Sequence, residues 1–156
     1  MLEINIPGHG TLKLSHLILD YNGTIACDGH ILPGVKKRLV DLSASLSVHI
    51  LTADTFGSVR EALSDVFCHV EVISQKDQAE AKLEYVKRLG LENCVCMGNG
   101  RNDRLMLKNA ALGIAVVQAE GSAVDTVLAA DIVVTDILNA LDLLRQPLRL
   151  TATLRS

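Results

Sequence analysis

Aromatic residues are scarce in this chain, and no excess of positive charge accompanies them. The sequence contains two Phe, two Tyr and no Trp, and its formal net charge is −3 with a pI near 5.9. Single-stranded nucleic acids are commonly held by aromatic side chains that stack on bases, and duplexes by basic faces. The sequence offers neither feature, so we expect no nucleic-acid partner.

Long apolar runs and a cysteine framework are also missing. No run approaches the roughly 20 apolar residues that span a bilayer, and Met1-Leu2-Glu3 lacks the basic flank and apolar stretch of a signal peptide. The four cysteines are too scattered for a disulfide framework. Cys94 and Cys96 alternate on a predicted strand, which favours small core residues over a metal or redox pair. We expect a cytoplasmic protein without a membrane partner.

Apolar patterning predicts a single α/β domain over residues 1–156. Hydrophobic residues make up 49% of the chain and charged residues 21%, the balance of a globular protein. Short apolar runs alternate with helical patterns, which is typical of a Rossmann-like three-layer sandwich with a mostly parallel central sheet. The predicted strands cover residues 16–20, 47–52, 69–73, 94–97, 113–117 and 132–134. Predicted helices follow them, one with Val59, Leu63, Val66 and Phe67 on its inner side and the last ended by Pro147.

Polar and small residues follow the predicted strands at the points where these strands end. In an open α/β sheet, ligands bind beyond the carboxyl ends of the strands, so these residues are the candidates for a site. They are Asp20, Asn22, Gly23 and Thr24 after the first strand, Thr52 and Ala53 after the second, Asn99 and Asp103 after the fourth, and Lys82 in the helix before the fourth.

These residue types suit the transfer of a phosphoryl group. The carboxylate of Asp20 can attack phosphorus to form an aspartyl phosphate, which divides one difficult displacement into two easier ones. Gly23 lets backbone N–H groups approach phosphate oxygens, while the Thr52 hydroxyl and the Lys82 ammonium add donors and positive charge. The predicted phosphate site consists of Asp20, Gly23, Thr24, Thr52, Ala53 and Lys82.

Attack of a carboxylate on a phosphate brings two anions together and therefore calls for a cation. Mg²⁺ prefers oxygen ligands, usually one or two carboxylates with waters and the substrate phosphate. We predict a Mg²⁺ site formed by Asp20, the Asn22 carbonyl, Asn99 and Asp103.

These motifs resemble, in order and spacing, those of haloacid dehalogenase superfamily phosphatases. The matching blocks are Asp20-x-x-Gly23-Thr24, a strand ending in Thr52, a helical Lys82, and Gly98-x-Gly-x-Asn102-Asp103. The last block is most similar to the hinge of P-type ATPase phosphorylation domains, and the chain most resembles soluble P-type ATPase-like proteins over residues 15–145. The resemblance implies a hydrolase of the phosphatase type, with catalytic roles for Asp20, Asn22, Thr52 and Lys82 and a small phosphorylated substrate.

The spacing of the motifs indicates which accessory parts are absent. Predicted strands and helices fill the intervals between Asp20, Thr52 and Lys82, so no cap domain fits there. Residues 25–32 form a predicted flap over the site, and residues 1–15 a predicted hairpin on the edge of the sheet. The resemblance implies that such capless proteins accept open or macromolecular substrates, or form homo-oligomers in which a neighbouring subunit covers the site. With no nucleotide-binding insert and no membrane helix, ion pumping is excluded.

Two positions depart from the family pattern. Asn22 stands where the phosphatases have a second Asp that serves as general acid and base, help that is worth about 10² to 10⁴ in rate. Asn99 stands where the family has a metal-binding Asp; its amide oxygen can still bind Mg²⁺ but carries no charge, so we expect lower metal affinity and a larger role for Asp103. We expect slow turnover, and His30 or Asp28 on the flap are weaker candidates for a substitute acid.

Other interpretations remain open from the sequence alone. The two asparagines favour a catalytically weakened module that binds phosphate or accepts a phosphoryl group as a signal. Asp20 can be a turn or capping residue, Lys82 a surface lysine, and Thr52 a helix cap as well as a site residue. A receiver-like signalling domain is a distant alternative, because its acceptor Asp follows the third strand rather than the first.

Overall fold

The computed structural model describes residues 1–55 and 57–156, which form strands and helices in alternation. In chain order the strands are β1 (Leu2–Ile6), β2 (Gly10–Leu14), β3 (His16–Asp20), β4 (Ala26–Cys27), β5 (His30–Ile31), β6 (Ser47–Thr52), β7 (His69–Val72), β8 (Cys94–Gly98), β9 (Leu112–Val116) and β10 (Ile132–Val134). The helices are α1 (Val35–Ser43), α2 (Ser58–Ala62), α3 (Gln78–Leu89), α4 (Arg104–Asn109), α5 (Val124–Ala129), α6 (Ile137–Arg145) and α7 (Pro147–Leu154). None of these helices has both the length and the apolar character that a membrane span requires.

The central sheet has six strands in the order β10-β9-β8-β3-β6-β7, and every pair in it is parallel. From β3 the chain builds outward through β6 and β7, then crosses to the other side of β3 to form β8, β9 and β10. The order therefore reverses between β3 and β8. In open α/β sheets a ligand crevice forms at this reversal, beyond the carboxyl ends of the strands.

Both faces of the sheet are buried, which confirms the predicted α/β sandwich. Leu17 and Leu19 of β3 belong to the apolar core shared with α1 and α6, whereas Ile18 belongs to the core shared with α3 and α4. Successive residues of a strand point to opposite faces, so a strand that is apolar throughout needs helices on both sides.

Three expectations require correction. The hairpin of β1 and β2 forms its own two-stranded sheet instead of extending the central one. Phe67 is 83% exposed, because α2 ends at Ala62 and the chain turns before Phe67 can reach the core. Pro147 does follow the end of α6, but it also occupies the first turn of α7, where a residue without an N–H group is well tolerated.

Candidate active site

The carboxyl ends of β3, β6 and β8 open into one cavity of about 270 Å³. The cavity is lined by Asp20, Asn22, Thr52, Ala53, Gln78, Lys82, Asn99, Gly100 and Asn102. Most of the residues predicted from the strand ends therefore meet at the point where the strand order reverses.

The ammonium group of Lys82 lies between two buried carboxylates. Its Nζ donates hydrogen bonds to Asp20 Oδ1 and to Asp103 Oδ1, each at 2.6 Å. Lys82 is 2% exposed and lies on the inner face of α3, together with Ala79 and Val86. This helical spacing directs the lysine toward the sheet, where it joins the end of β3 to the turn after β8.

One ammonium facing two carboxylates leaves the charges of the site unbalanced. Burial and the charge of Asp103 raise the pKa of Asp20 to about 7, although Lys82 and the hydrogen bond from Thr24 oppose the rise. Burial alone would lower the pKa of Lys82, but the two carboxylates outweigh it and raise this pKa above its ordinary value. Ionised Asp20 therefore adds an excess negative charge, which favours a bound cation.

Asp103 is completely buried, and both of its carboxylate oxygens are bonded. Oδ1 accepts from Lys82, and Oδ2 accepts from the backbone N–H groups of Asn99 at 3.1 Å and Gly100 at 2.9 Å. These bonds hold the turn after β8 and the lysine in one arrangement. The metal-ligand role predicted for Asp103 stays a prediction, and this geometry favours a positioning role instead, because Asp103 does not line the cavity.

The loop after Asp20 is shaped by Gly23. This glycine has a φ of 81°, and a Cβ placed on it would lie 2.3 Å from Asn99 Nδ2, so only glycine fits. The predicted phosphate contacts of Gly23 and Thr24 are not supported, because their backbone N–H groups already donate to the carbonyls of Ala26 and Tyr21 within the loop. Neither residue lines the cavity.

The hydroxyl of Thr24 joins two oxygen atoms that suit a hard cation. Thr24 Oγ1 lies 3.3 Å from Asp20 Oδ2 and 3.1 Å from Asn99 Oδ1, within donor distance of both. A hydroxyl has one hydrogen, so it cannot fully satisfy a carboxylate and an amide oxygen together. Mg²⁺ prefers oxygen ligands, and the exposed Asn22 lies on the wall of the same cavity as Asp20 and Asn99.

Thr52 and Ala53 form the wall on the β6 side. Thr52 is 3% exposed, and its Oγ1 accepts a hydrogen bond from the backbone N–H of Asp54 at 3.1 Å. The hydroxyl keeps its own hydrogen, which can be donated to an anion in the cavity.

Two glutamines that the sequence interpretation did not single out contribute to the site. Gln78 lines the cavity, and its Oε1 accepts from Asn102 Nδ2 at 2.6 Å. It precedes Lys82 by one helical turn, so helical periodicity alone would have placed it beside the lysine. Gln118 Nε2 donates to the carbonyls of Gly23 and Thr24 at 3.3 and 2.6 Å, a contact between distant segments that no local pattern indicates.

The segment predicted as a flap folds as the short hairpin of β4 and β5. Its turn is held by a hydrogen bond from the Tyr21 hydroxyl to the carbonyl of Gly29 at 3.0 Å. Asp28 and His30 are exposed at the tip, and neither lines the cavity with Asp20. The structure thus keeps both candidate acids outside the cavity.

Comparison with known sequences identifies relatives of the chain. A family profile for haloacid dehalogenase-like hydrolases matches residues 56–137, a segment that contains Lys82 and Asp103. Uncharacterized protein MJ0073 of Methanocaldococcus jannaschii is 51% identical over 79 residues, which is 48% of this chain and 85% of that protein. Uncharacterized protein MJ0072 of the same organism is 54% identical over 39 residues, 25% of this chain and 89% of that protein.

Solved structures share the fold. The 3-deoxy-D-manno-octulosonate 8-phosphate phosphatase of Moraxella catarrhalis, in complex with magnesium, phosphate and KDO, superposes with a TM-score of 0.65 at 18% identity, covering 84% of this chain and 85% of that one. The cobalt-bound deoxy-D-mannose-octulosonate 8-phosphate phosphatase of Haemophilus influenzae gives 0.73 at 14% identity, covering 92% and 94%. Identities this low establish the architecture alone.

The predicted likeness to soluble P-type ATPases stays a prediction. The prediction that the chain is related to haloacid dehalogenase superfamily proteins is confirmed, because the family profile covers more than half of the chain and the fold agrees with it. The chain belongs to the family of haloacid dehalogenase-like hydrolases.

Proposed function

We propose that this protein is a Mg²⁺-dependent phosphatase or phosphotransferase that works through an aspartyl phosphate on Asp20. The observation that carries the proposal is the convergence of Asp20, Thr52 and Lys82 in one cavity at the reversal of the strand order. We further propose that residues 1–156 act as one core domain without a cap and that the substrate is a small phosphorylated molecule.

Each residue has a distinct task in the proposed reaction. One carboxylate oxygen of Asp20 attacks phosphorus, while the Thr52 hydroxyl and the Lys82 ammonium donate to the phosphate oxygens. Asp103 does not contact the substrate; its bond to Lys82 keeps the ammonium group charged and in place. Gly23 shapes the loop after Asp20, and the Thr24 hydroxyl in that loop lies against the side chains of Asp20 and Asn99.

The oxygen atoms near Thr24 are proposed to hold Mg²⁺. Asp20 Oδ2, Asn99 Oδ1 and the backbone carbonyl of Asn22 are the proposed ligands, with waters and a phosphate oxygen completing the set. Bound Mg²⁺ would neutralise the charge of the nucleophile and of the phosphate. Because Asn99 carries no charge, we expect weak Mg²⁺ affinity.

Asn22 makes the proposed enzyme slow. An amide cannot give a proton to the leaving group or take one from water, and the loss of such help costs about 10² to 10⁴ in rate. Water attack on the aspartyl phosphate loses the same help, so we expect this intermediate to accumulate. A phospho-accepting regulatory module is therefore the second candidate function, favoured by Asn22 and Asn99 together.

Incubation with Mg²⁺ and an activated phosphate ester tests the proposal. We expect a burst of leaving group equal to the enzyme concentration, followed by slow turnover, with both abolished by Asp20→Asn and by removal of Mg²⁺. Glu3→Gln, an exposed substitution away from the cavity, should leave both phases unchanged. A stable phosphoryl adduct without turnover would support the regulatory module. If the protein forms no adduct and shows no turnover, both candidate functions are contradicted.

Cellular location and assembly are proposals of the same kind. We propose that the protein is cytoplasmic and that a second copy covers the open cavity. Size-exclusion chromatography with light scattering tests the assembly, because a monomer at all concentrations would contradict it.

A further inference from the structure

The cavity contains few groups that can exchange a proton. Of the described residues that line it, Asp20 and Lys82 are the ionisable ones. The other polar residues are a hydroxyl and four carboxamides, which donate hydrogen bonds but do not titrate at ordinary pH. These are Thr52, Asn22, Gln78, Asn99 and Asn102.

Neither ionisable group can protonate a leaving group. Asp20 is consumed as the nucleophile in the proposed reaction. Lys82 is bonded to Asp20 and Asp103 at 2.6 Å and is 2% exposed. Its hydrogens are directed at these two carboxylates and, in the proposed reaction, at a phosphate oxygen, so none is directed at the leaving oxygen.

Two other candidate acids make hydrogen bonds to different partners. Asp54 follows β6, but its Oδ2 accepts from the Ser58 hydroxyl at 2.6 Å and the residue does not line the cavity. His30 is exposed on the flap, where its Nδ1 lies 2.9 Å from the carbonyl of Asp28.

We infer that the substrates are phosphates whose leaving group departs as a stable anion without taking a proton, namely acyl phosphates and other phosphoric anhydrides rather than alkyl phosphate esters. This inference rests on the proposed function. It adds the class of substrate, which follows from the proton donors that the cavity does and does not contain.

The chemistry balances without an acid in the first step. One oxygen of Asp20 forms a bond to phosphorus, and the bond from phosphorus to the leaving oxygen breaks with its electron pair remaining on that oxygen. In the second step a water oxygen bonds to phosphorus, and the bond to Asp20 breaks with its electron pair returning to the carboxylate. The proton of the water is lost to solvent.

Leaving-group dependence tests the inference directly. We would measure kcat/KM at fixed Mg²⁺ for acetyl phosphate and for aryl phosphates from dinitrophenyl to phenyl phosphate, whose phenol ionises near the pKa of tyrosine. Without protonation the leaving oxygen carries almost a full negative charge in the transition state, so kcat/KM should fall by roughly tenfold for each unit of leaving-group pKa.

Two matched variants locate the effect. Asn22→Asp should raise kcat/KM for phenyl phosphate by about 10² to 10⁴ and change the dinitrophenyl ester little, which flattens the dependence. Asn139→Asp places the same new carboxyl at an exposed position of α6 outside the cavity and should leave the slope as steep as in the unchanged protein.

The outcomes separate this inference from the proposed function. A shallow dependence in the unchanged protein, with Asp20 still required, would overturn the inference alone and indicate an acid such as Asp54 or His30. If even acetyl phosphate and the dinitrophenyl ester show no Asp20-dependent release, the proposed function fails as well.

Discussion

Replacing the proposed nucleophile should make the metal-free protein more stable, not less. Asp20 is 8% exposed, and its pKa is about 7 in the folded protein against an ordinary value of 3.8. A raised carboxyl pKa contributes stability that is present at low pH and lost as pH rises through the folded value. Asp20→Asn removes this loss, because an amide does not ionise.

The pH range fixes the expected magnitude. At about 1.4 kcal/mol per pKa unit, ionised Asp20 costs at most roughly 4 kcal/mol at pH 8. Part of this cost is already present at pH 5, where the unfolded carboxyl is ionised. The stability advantage of Asp20→Asn should therefore grow by roughly 2 to 3 kcal/mol between pH 5 and pH 8. Added Mg²⁺ should stabilise the unchanged protein at pH 8 and reduce the difference.

Urea unfolding in a chelator, repeated across this pH range, is the assay. Asp142→Asn is a matched control, because Asp142 is also 8% exposed but its pKa is lowered by hydrogen bonds from Arg38 and Arg145. A lowered carboxyl pKa contributes stability that is lost only as pH falls below the ordinary value of 3.8, so this replacement should destabilise the protein by the same amount at pH 5 and at pH 8. An Asp20→Asn advantage that does not grow with pH would refute the electrostatic reasoning.

Three further substitutions test separate parts of the structure. Lys82→Met should lower the free energy of unfolding by about 3 to 5 kcal/mol at pH 8 and by less at low pH, because it leaves two buried carboxylates unpaired; a loss below about 1 kcal/mol would contradict the buried pairing. Gly23→Ala should lower the free energy of unfolding in urea by about 1 kcal/mol or more beyond the loss caused by Gly29→Ala. Both glycines have a similar positive φ, but only a Cβ at position 23 meets another side chain. Equal losses for the two variants would exclude that clash. Burial lowers the pKa of His49 to about 4, so the free energy of unfolding should fall by up to about 3 kcal/mol as pH decreases below 6.5. His49→Gln should flatten this pH profile. An unchanged profile would contradict the assignment of this pH dependence to His49.

Much of the architecture followed from the sequence because parallel strands that are buried on both faces have a distinctive pattern. The strands at 16–20, 47–52 and 132–134 begin and end where apolar runs predicted them. Helix ends were harder to predict, because Pro147 is compatible both with stopping one helix and with starting the next.

The position of the site also followed from the strand ends, but the orientation of backbone groups did not. Asp20, Thr52 and Asn99 meet because parallel strands end at the same edge of the sheet. Whether the Gly23 N–H faced a ligand or the carbonyl of Ala26 depended on the closed turn, which the residue type alone does not determine. The contact of Gln118 with this turn joins segments far apart in the chain and left no local signal.

The central claim is that Asp20 receives the phosphoryl group, and peptide mapping after phosphorylation tests it most directly. The protein would be incubated with Mg²⁺ and acetyl phosphate, quenched in acid, digested and examined by tandem mass spectrometry. The account predicts a hydroxylamine-sensitive phosphoryl group on Asp20 that requires Mg²⁺. A phosphoryl group on another residue, or none under conditions in which the substrate is consumed, would contradict it.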